Sequence, residues 1–184
     1  MNPTNKFNLR RFERLPRNIR LSDGCTLRLR ELRPRDHDLL KEFFYRCSPE
    51  SIRRRFFGSI KLLSDGLLNY LSDGDGVRHA ALIITERKGE DERIVGEGRY
   101  VCLRDRPSAA DLALLVEDRM RRHGIATLLI QELIEIGRAN GVTDFSGDVL
   151  SDNREMLSLI RKMFRTLTSK ISSGVIHFEI SLKR

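Results

Sequence analysis

One segment constrains this chain more than any other. "AADLALLV" is a mostly apolar run suited to a central strand, and the bend "EDRMRRHG" carries it into "IATLLIQELIEIGRAN". There Ile125, Leu128, Leu129, Leu133 and Ile136 recur at helical spacing, and Asn140-Gly141 supplies a stop. The further strand "TDFSGDVL" follows directly. A strand, an amphipathic helix and a second strand in that order give a crossover at the centre of a mixed sheet. The bend raises a second question. Basic residues ordinarily sit at a helix C-terminus, where they complement its dipole, yet Arg119, Arg121, Arg122 and His123 precede this helix. A helix start presents unpaired backbone N–H groups and a partial positive charge, which suits a phosphate group. Gly124 lets the chain approach an anion without a Cβ in the way, and Ala126 is small in the first turn.

The flanking elements separate cleanly. "TLRLREL" alternates as a half-buried strand, with Leu32 out of phase with Leu27 and Leu29. After Pro34, Leu39, Leu40, Phe43 and Phe44 form a helical stripe; Ser48-Pro49 starts a second helix, and Ser64 caps a short third one. "HAALIITE" and "RIVGEGRYVCL" form a hairpin across "RKGED". After "TDFSGDVL", the helix "DNREMLSLIRKMF" is read as capped by Asp152 or Ser151, and "RTLTSKI" with "VIHFEISL" closes a hairpin at Ser172-Ser173-Gly174. The triplet Ser-Asp-Gly at Ser22, Ser64 and Ser72 is irregularly spaced turn chemistry and not a repeat.

With 184 residues, one domain covering 21–184 is expected, behind a basic extension over residues 1–20 that lacks apolar periodicity. No apolar run approaches a membrane span, and the first segment has no secretory signal pattern. Cys25, Cys47 and Cys102 are odd in number and lack a ligand rhythm with the histidines. They point to buried thiols in a reducing, cytoplasmic setting, with no metal. The net charge of +8 suits an anionic partner. Without Trp or an aromatic ladder among the arginines, nucleic acid is disfavoured as that partner.

Arg121, Gly124 and Ala126, after a strand and opening an amphipathic helix, resemble the acetyl-CoA signature Q/R-x-x-G-x-G/A of the GCN5-related N-acetyltransferases (GNAT). The element order from Thr26 to Leu182 is similar to that fold as well. "LRPRDHDLLKEFFYRCSPESIRRRFF" further resembles the first helices of bacterial Pat-type protein lysine acetyltransferases. The matching residues are Arg33-Pro34-Arg35-Asp36, Phe43-Phe44, Ser48-Pro49-Glu50-Ser51 and Arg55-Phe56-Phe57.

The resemblance implies an α/β (α+β) fold: a mixed, mostly antiparallel sheet of six to seven strands flanked by about four helices. It implies an N-acetyltransferase with acetyl-CoA as co-substrate, acting on a primary amine, a protein lysine first, by direct attack in a ternary complex. The alternatives are a small-molecule amine as acceptor, or a non-catalytic acyl-CoA-sensing module that regulates a partner; self-association stays open. Joined regulatory domains of Pat-type enzymes are not expected at this length.

The implied cofactor contacts are Leu114, Leu115 and Val116 on the central strand, then Arg121, Arg122, His123, Gly124, Ile125, Ala126 and Thr127, and Asn153 in the later strand–helix. A lysine of pKa about 10.4 is neutral in about one molecule in 2,500 at pH 7, so a base is valuable. Asp111 stands where Pat-type enzymes have a glutamate. Glu97, alternating with glycines in "VGEGRY" and so expected to face whatever covers the sheet, is its rival. A backbone N–H near Leu114–Val116 would serve the oxyanion. Ile160 stands where many relatives carry a tyrosine acid and Met163 where they carry glycine; Tyr100 is a candidate stand-in for the tyrosine.

Overall fold

The computed structural model describes residues 14–21, 24–58, 63–164 and 167–182. Within them run β1 (Arg17–Arg20), β2 (Thr26–Glu31), α1 (His37–Arg46), α2 (Pro49–Phe56), α3 (Asp65–Ser72), β3 (His79–Lys88), β4 (Asp91–Cys102) and β5 (Ala109–Val116). They continue with α4 (Ile125–Ala139), β6 (Asp144–Leu150), α5 (Arg154–Met163), β7 (Leu167–Ser172) and β8 (Val175–Ser181). The strands form a single sheet in the order β1-β2-β3-β4-β5-β6-β8-β7. Each neighbouring pair is antiparallel except β5 and β6, which the α4 crossover makes parallel.

The mixed, mostly antiparallel architecture is the expected one, with eight strands and five α-helices among the described residues where six to seven and about four were anticipated. The added strand is β1. Arg17–Arg20 pairs in register with Leu29 to Thr26, so the end of the supposed extension is an edge strand, and Ile19 and Leu21 pack on the core. "RNIR" holds one apolar residue, too little for a strand pattern. Residues 1–13, the Ser22-Asp23 part of the first Ser-Asp-Gly turn, and Arg165-Thr166 lie outside the described residues.

Two cores flank the sheet. On one face Leu27, Leu29, Leu82, Tyr100 and Leu112 pack against Leu129 and Leu133 of α4 and Ile160 of α5. On the other, Leu40, Phe43, Ile52 and Leu68 of α1–α3 cover Ile83, Ile94 and Leu115. Leu32, the out-of-phase leucine, belongs to this second core.

Gly96 and Gly98 face α4. A Cβ at Gly96 would lie 2.8 Å from Ile125 Cγ2, and one at Gly98 3.1 Å from Leu133 Cδ1. The bare positions let the crossover helix sit close on β4. The Ser48 and Ser64 caps form as expected, their Oγ atoms accepting from Ser51 and Leu67 N–H. α5 is capped differently: Asn153, rather than Asp152 or Ser151, accepts from Met156 N–H at 3.3 Å.

Candidate active site

β5 and β6 are paired for only three residues, Ala109↔Asp144 to Asp111↔Ser146. Beyond them the strands part, while β5 stays paired with β4 as far as Gly96↔Val116. Glu117 N–H donates to Val95 O across the β4–β5 pair (2.9 Å). Backbone direction alternates along a strand, so the N–H and C=O of Leu114 and Val116 face the fork. Leu112 shows the same sense: its carbonyl oxygen lies 3.0 Å from a Cβ built on Gly147 of β6. The fork opens into a cavity of about 820 Å³ between β5, β6, α2 and the starts of α4 and α5, a size suited to a cofactor-sized ligand.

At one end of this cavity lies the start of α4. Its first intrahelical bond runs from Leu128 N–H to Gly124 O at 3.0 Å, so the N–H groups of Ile125, Ala126 and Thr127 have no acceptor within the helix. The N-cap is Gly124, which has no side chain to cap them. All three residues line the cavity with Arg121, Arg122 and Gly124. Gly124 takes φ +79°, a left-handed conformation that favours glycine, and a Cβ there would meet nothing within 4 Å. Open space and three N–H donors at a helix start make an anion cradle.

Arg121 is held in place from α2. Asp118 accepts from Ser48 N–H (2.8 Å), Ser48 Oγ (2.9 Å) and Ser51 Oγ (2.8 Å), and Arg121 Nη2 lies 3.0 Å from the same carboxylate. Arg121 Nη2 also donates to Ser51 Oγ at 2.5 Å. Desolvation pushes the Asp118 carboxyl up, but these hydrogen bonds and the Arg121 charge outweigh it and hold it below its ordinary value. The Ser48…Ser51 motif therefore ties α2 to the loop that leads into α4. A second tie joins α2 to the turn before α5, from Arg53 Nη2 to Asp152 Oδ2 at 2.5 Å.

At the other end, where the fork closes, Asp111 is exposed to the cavity and Ser146 Oγ donates to its Oδ1. Parallel pairing puts these two side chains side by side. Glu97 has a different setting. It is fully buried on the face opposite Gly96 and Gly98, does not line the cavity, and accepts from Arg99 Nε at 2.7 Å. The glycine alternation bares the α4 face and buries Glu97 beneath the other layer, contrary to the expectation that it would be accessible. Arg99 also donates to Leu71 O (2.8 Å) and approaches His79 Nε2 at 3.2 Å. Burial, then the Arg99 charge, lowers the His79 pKa.

Of the remaining expected contacts, Leu114, Leu115, Val116 and Asn153 line the cavity and His123 does not; its Nδ1 lies 2.8 Å from Arg121 O. Ile160, at the position where the resemblance implies a tyrosine acid, lines the cavity. Tyr100 is no substitute: it is buried in the α4-side core, donating to Val77 O and accepting from Asn140 Nδ2, both at 2.9 Å. Sequence reasoning missed Asp118, Ser146 and the Arg53–Asp152 tie, all contacts between residues far apart in the chain. Only the Ser48…Ser51 spacing hinted at one of them. Among the described residues, no group of three or more His, Cys, Asp or Glu could hold a metal ion, and no helix is long and apolar enough to cross a membrane.

Comparison with known proteins places this geometry. The model of the acetyltransferase (GNAT) family matches residues 37–164. An acetyltransferase of Pseudomonas aeruginosa is 30% identical over 139 residues, covering 76% of this chain and 74% of that protein. The acetyltransferase Pat of Mycolicibacterium smegmatis is 27% identical over 145 residues, 79% of this chain but 43% of its own length. Among solved structures, the GNAT domain of S. lividans PAT superposes with a TM-score of 0.80 at 25% identity, covering 91% of this chain and 97% of that one.

Proposed function

Because the chain belongs to the acetyltransferase (GNAT) family, whose members use acetyl-CoA, we propose that it transfers an acetyl group to a protein lysine within a ternary complex, with Asp111 as the base. The observation that carries this reading is the position of Asp111. It is a cavity-facing carboxylate at the closed end of the fork, oriented by Ser146. Glu97, the rival, is sealed and bound to Arg99, where neither an amine nor a water in the cavity reaches it.

The residues present fit acetyl-CoA. The cradle at Ile125, Ala126 and Thr127, with Arg121 and Arg122, would hold its phosphates. The fork-facing groups of Leu114 and Val116 would pair with its amide-bearing arm. Acetyl-CoA supplies the activated acyl group; the chain supplies alignment and proton handling. Asp111 takes the ammonium proton, directly or through one water, and frees the nitrogen lone pair. An N–H on the splayed part of β5 offers a donor to the carbonyl oxygen as it gains charge. No acid is required for the departing sulfur, because a thiol of pKa about 8–9 leaves tolerably as its anion. Ile160 in the wall is compatible with that route.

The test is incubation with acetyl-CoA and lysine peptides or candidate proteins, reading free thiol and acceptor mass together. Equal thiol release and acceptor mass gain supports the reading. Binding of acetyl-CoA without transfer to any amine would favour a sensor module instead.

A further inference from the structure

α2 ends in three arginines with different surroundings. Arg53 bonds to Glu50 (2.8 Å) and Asp152, and Arg54 bonds to Glu50 at 2.7 Å. Arg55 lines the cavity, yet among the described residues its buried Nε has no hydrogen-bond partner. Its guanidinium carbon sits 5.0 Å from the Phe56 ring centroid, an apolar platform. The charges that act on it are those of Glu97, which favours the cation, and Arg99, which opposes it. Glu97 binds Arg99 through Oε1, and its buried Oε2 is no more bonded to Arg55 than to any other donor, so among the described residues these two guanidinium groups share one carboxylate that Arg55 does not hydrogen-bond. Burial pushes the Arg55 pKa down, as follows for a cation short of compensation. Such a group is costly unless an anion completes it.

Resting on the acetyl-transfer reading above, we infer that Arg55 receives a carboxylate carried by the acceptor, so that the preferred lysine is flanked by an acidic side chain. Two observations direct the carboxylate to the acceptor and away from the phosphates of acetyl-CoA. First, Ser51, one helical turn before Arg55, touches Arg121 at the phosphate-facing end, and α2 runs from there toward Glu97. Second, Arg55 acts on the α1–α3 face. Glu97, Arg99 and Val101 pair with Leu115, Ala113 and Asp111, so Asp111 shares a face with Glu97, opposite the α4 layer. Leu115, level with Glu97, is about 13 Å along the strand from Asp111. An amine and a carboxylate two bonds apart on one amino acid do not span that interval. A lysine and its acidic neighbour in a peptide do.

The experiment compares capped Gly-Asp-Lys-Asp-Gly with Gly-Asn-Lys-Asn-Gly as acceptors, for the wild type, Arg55→Gln and Arg55→Lys. The wild type is expected to prefer the aspartate peptide about tenfold or more in kcat/KM. That ratio should fall to near one in Arg55→Gln and recover in part in Arg55→Lys. A second arm needs no turnover: the side-chain Nε–H resonance of Arg55 is followed by NMR as the aspartate peptide, with norleucine for lysine, is added. It should shift with this peptide and not with its asparagine counterpart. If no peptide is acetylated, the acetyl-transfer reading fails while this arm still decides the role of Arg55. A preference that survives Arg55→Gln overturns the inference. So does an Arg55 effect confined to coenzyme A, to succinyl-CoA over acetyl-CoA, or to free lysine.

Discussion

Replacement of Gly124 by glutamate tests the phosphate cradle with separable consequences for folding and binding. The left-handed backbone at φ +79° costs a non-glycine residue about 1–2 kcal/mol. A Cβ there meets nothing within 4 Å, so no packing penalty is added. At about 2–4 °C per kcal/mol for a chain of this size, the variant should melt about 2–8 °C lower and remain folded. Binding should suffer far more. A carboxylate about 5 Å from a phosphate, at an effective dielectric of about 20, costs about 3 kcal/mol, somewhat over a hundredfold in affinity. Gly124→Asn separates the contributions, because asparagine tolerates this backbone and adds no charge; it should stay within about fivefold of the wild type. Calorimetry with acetyl-CoA at low and high salt, beside thermal melts, reads both quantities, and wild-type affinity should weaken as salt rises. A folded Gly124→Glu protein with unchanged affinity would refute the cradle.

Two further outcomes follow from the ion network. Asp118→Ala removes the acceptor of Ser48, Ser51 and Arg121. Because that carboxylate is partly exposed, the loss should be about 2 kcal/mol, a melting temperature lower by about 4–8 °C. Acetyl-CoA affinity should drop about tenfold as Arg121 loses its anchor; an unaltered melt and affinity would remove the clamp. His79 is held neutral by burial and Arg99, so its folded pKa lies below the unfolded value of about 6.5. The unfolded chain then takes up the proton first, and stability falls as pH drops from about 6.5 toward the folded pKa. Thermal melts between pH 7.5 and 5 should show this slope in the wild type and a shallower one in His79→Asn.

Local chemistry made much of the fold readable. The α4 stripe and its Asn140-Gly141 stop, the Ser48-Pro49 start and the Ser173-Gly174 turn each act within a few residues, and each forms as the spacing requires. Gly141 takes φ +86° and the Ser173-Gly174 pair φ +50° and +77°, conformations their positions demand. What escaped reading depends on partners distant in sequence. Strand β1 exists because β2 offers it an edge, and "RNIR" alone carries no such information. The glycines around Glu97 reveal that one face of β4 is bare, but not that α4 occupies it and leaves the carboxylate beneath the other layer. Asn153 caps α5 although Asp152 has equal propensity, because the chain leaves β6 by a turn that brings Asn153 to the helix start. In the site, the strand and loop residues expected from one motif line the cavity, His123 excepted. The support of Asp111 by Ser146, 35 residues away across the crossover, did not.

The most direct measurement is kcat for acetyl transfer in Asp111→Asn and Glu97→Gln, beside acetyl-CoA affinity for each. With Asp111 as the base, Asp111→Asn binds acetyl-CoA nearly as the wild type does and loses about a hundredfold to ten-thousandfold in kcat. Glu97→Gln leaves a buried Arg99 without its carboxylate, so its thermal melt should fall while its kcat, wherever the protein is folded, drops far less. An Asp111→Asn enzyme that turns over at the wild-type rate, with the large loss appearing in a stably folded Glu97→Gln, would contradict the assignment.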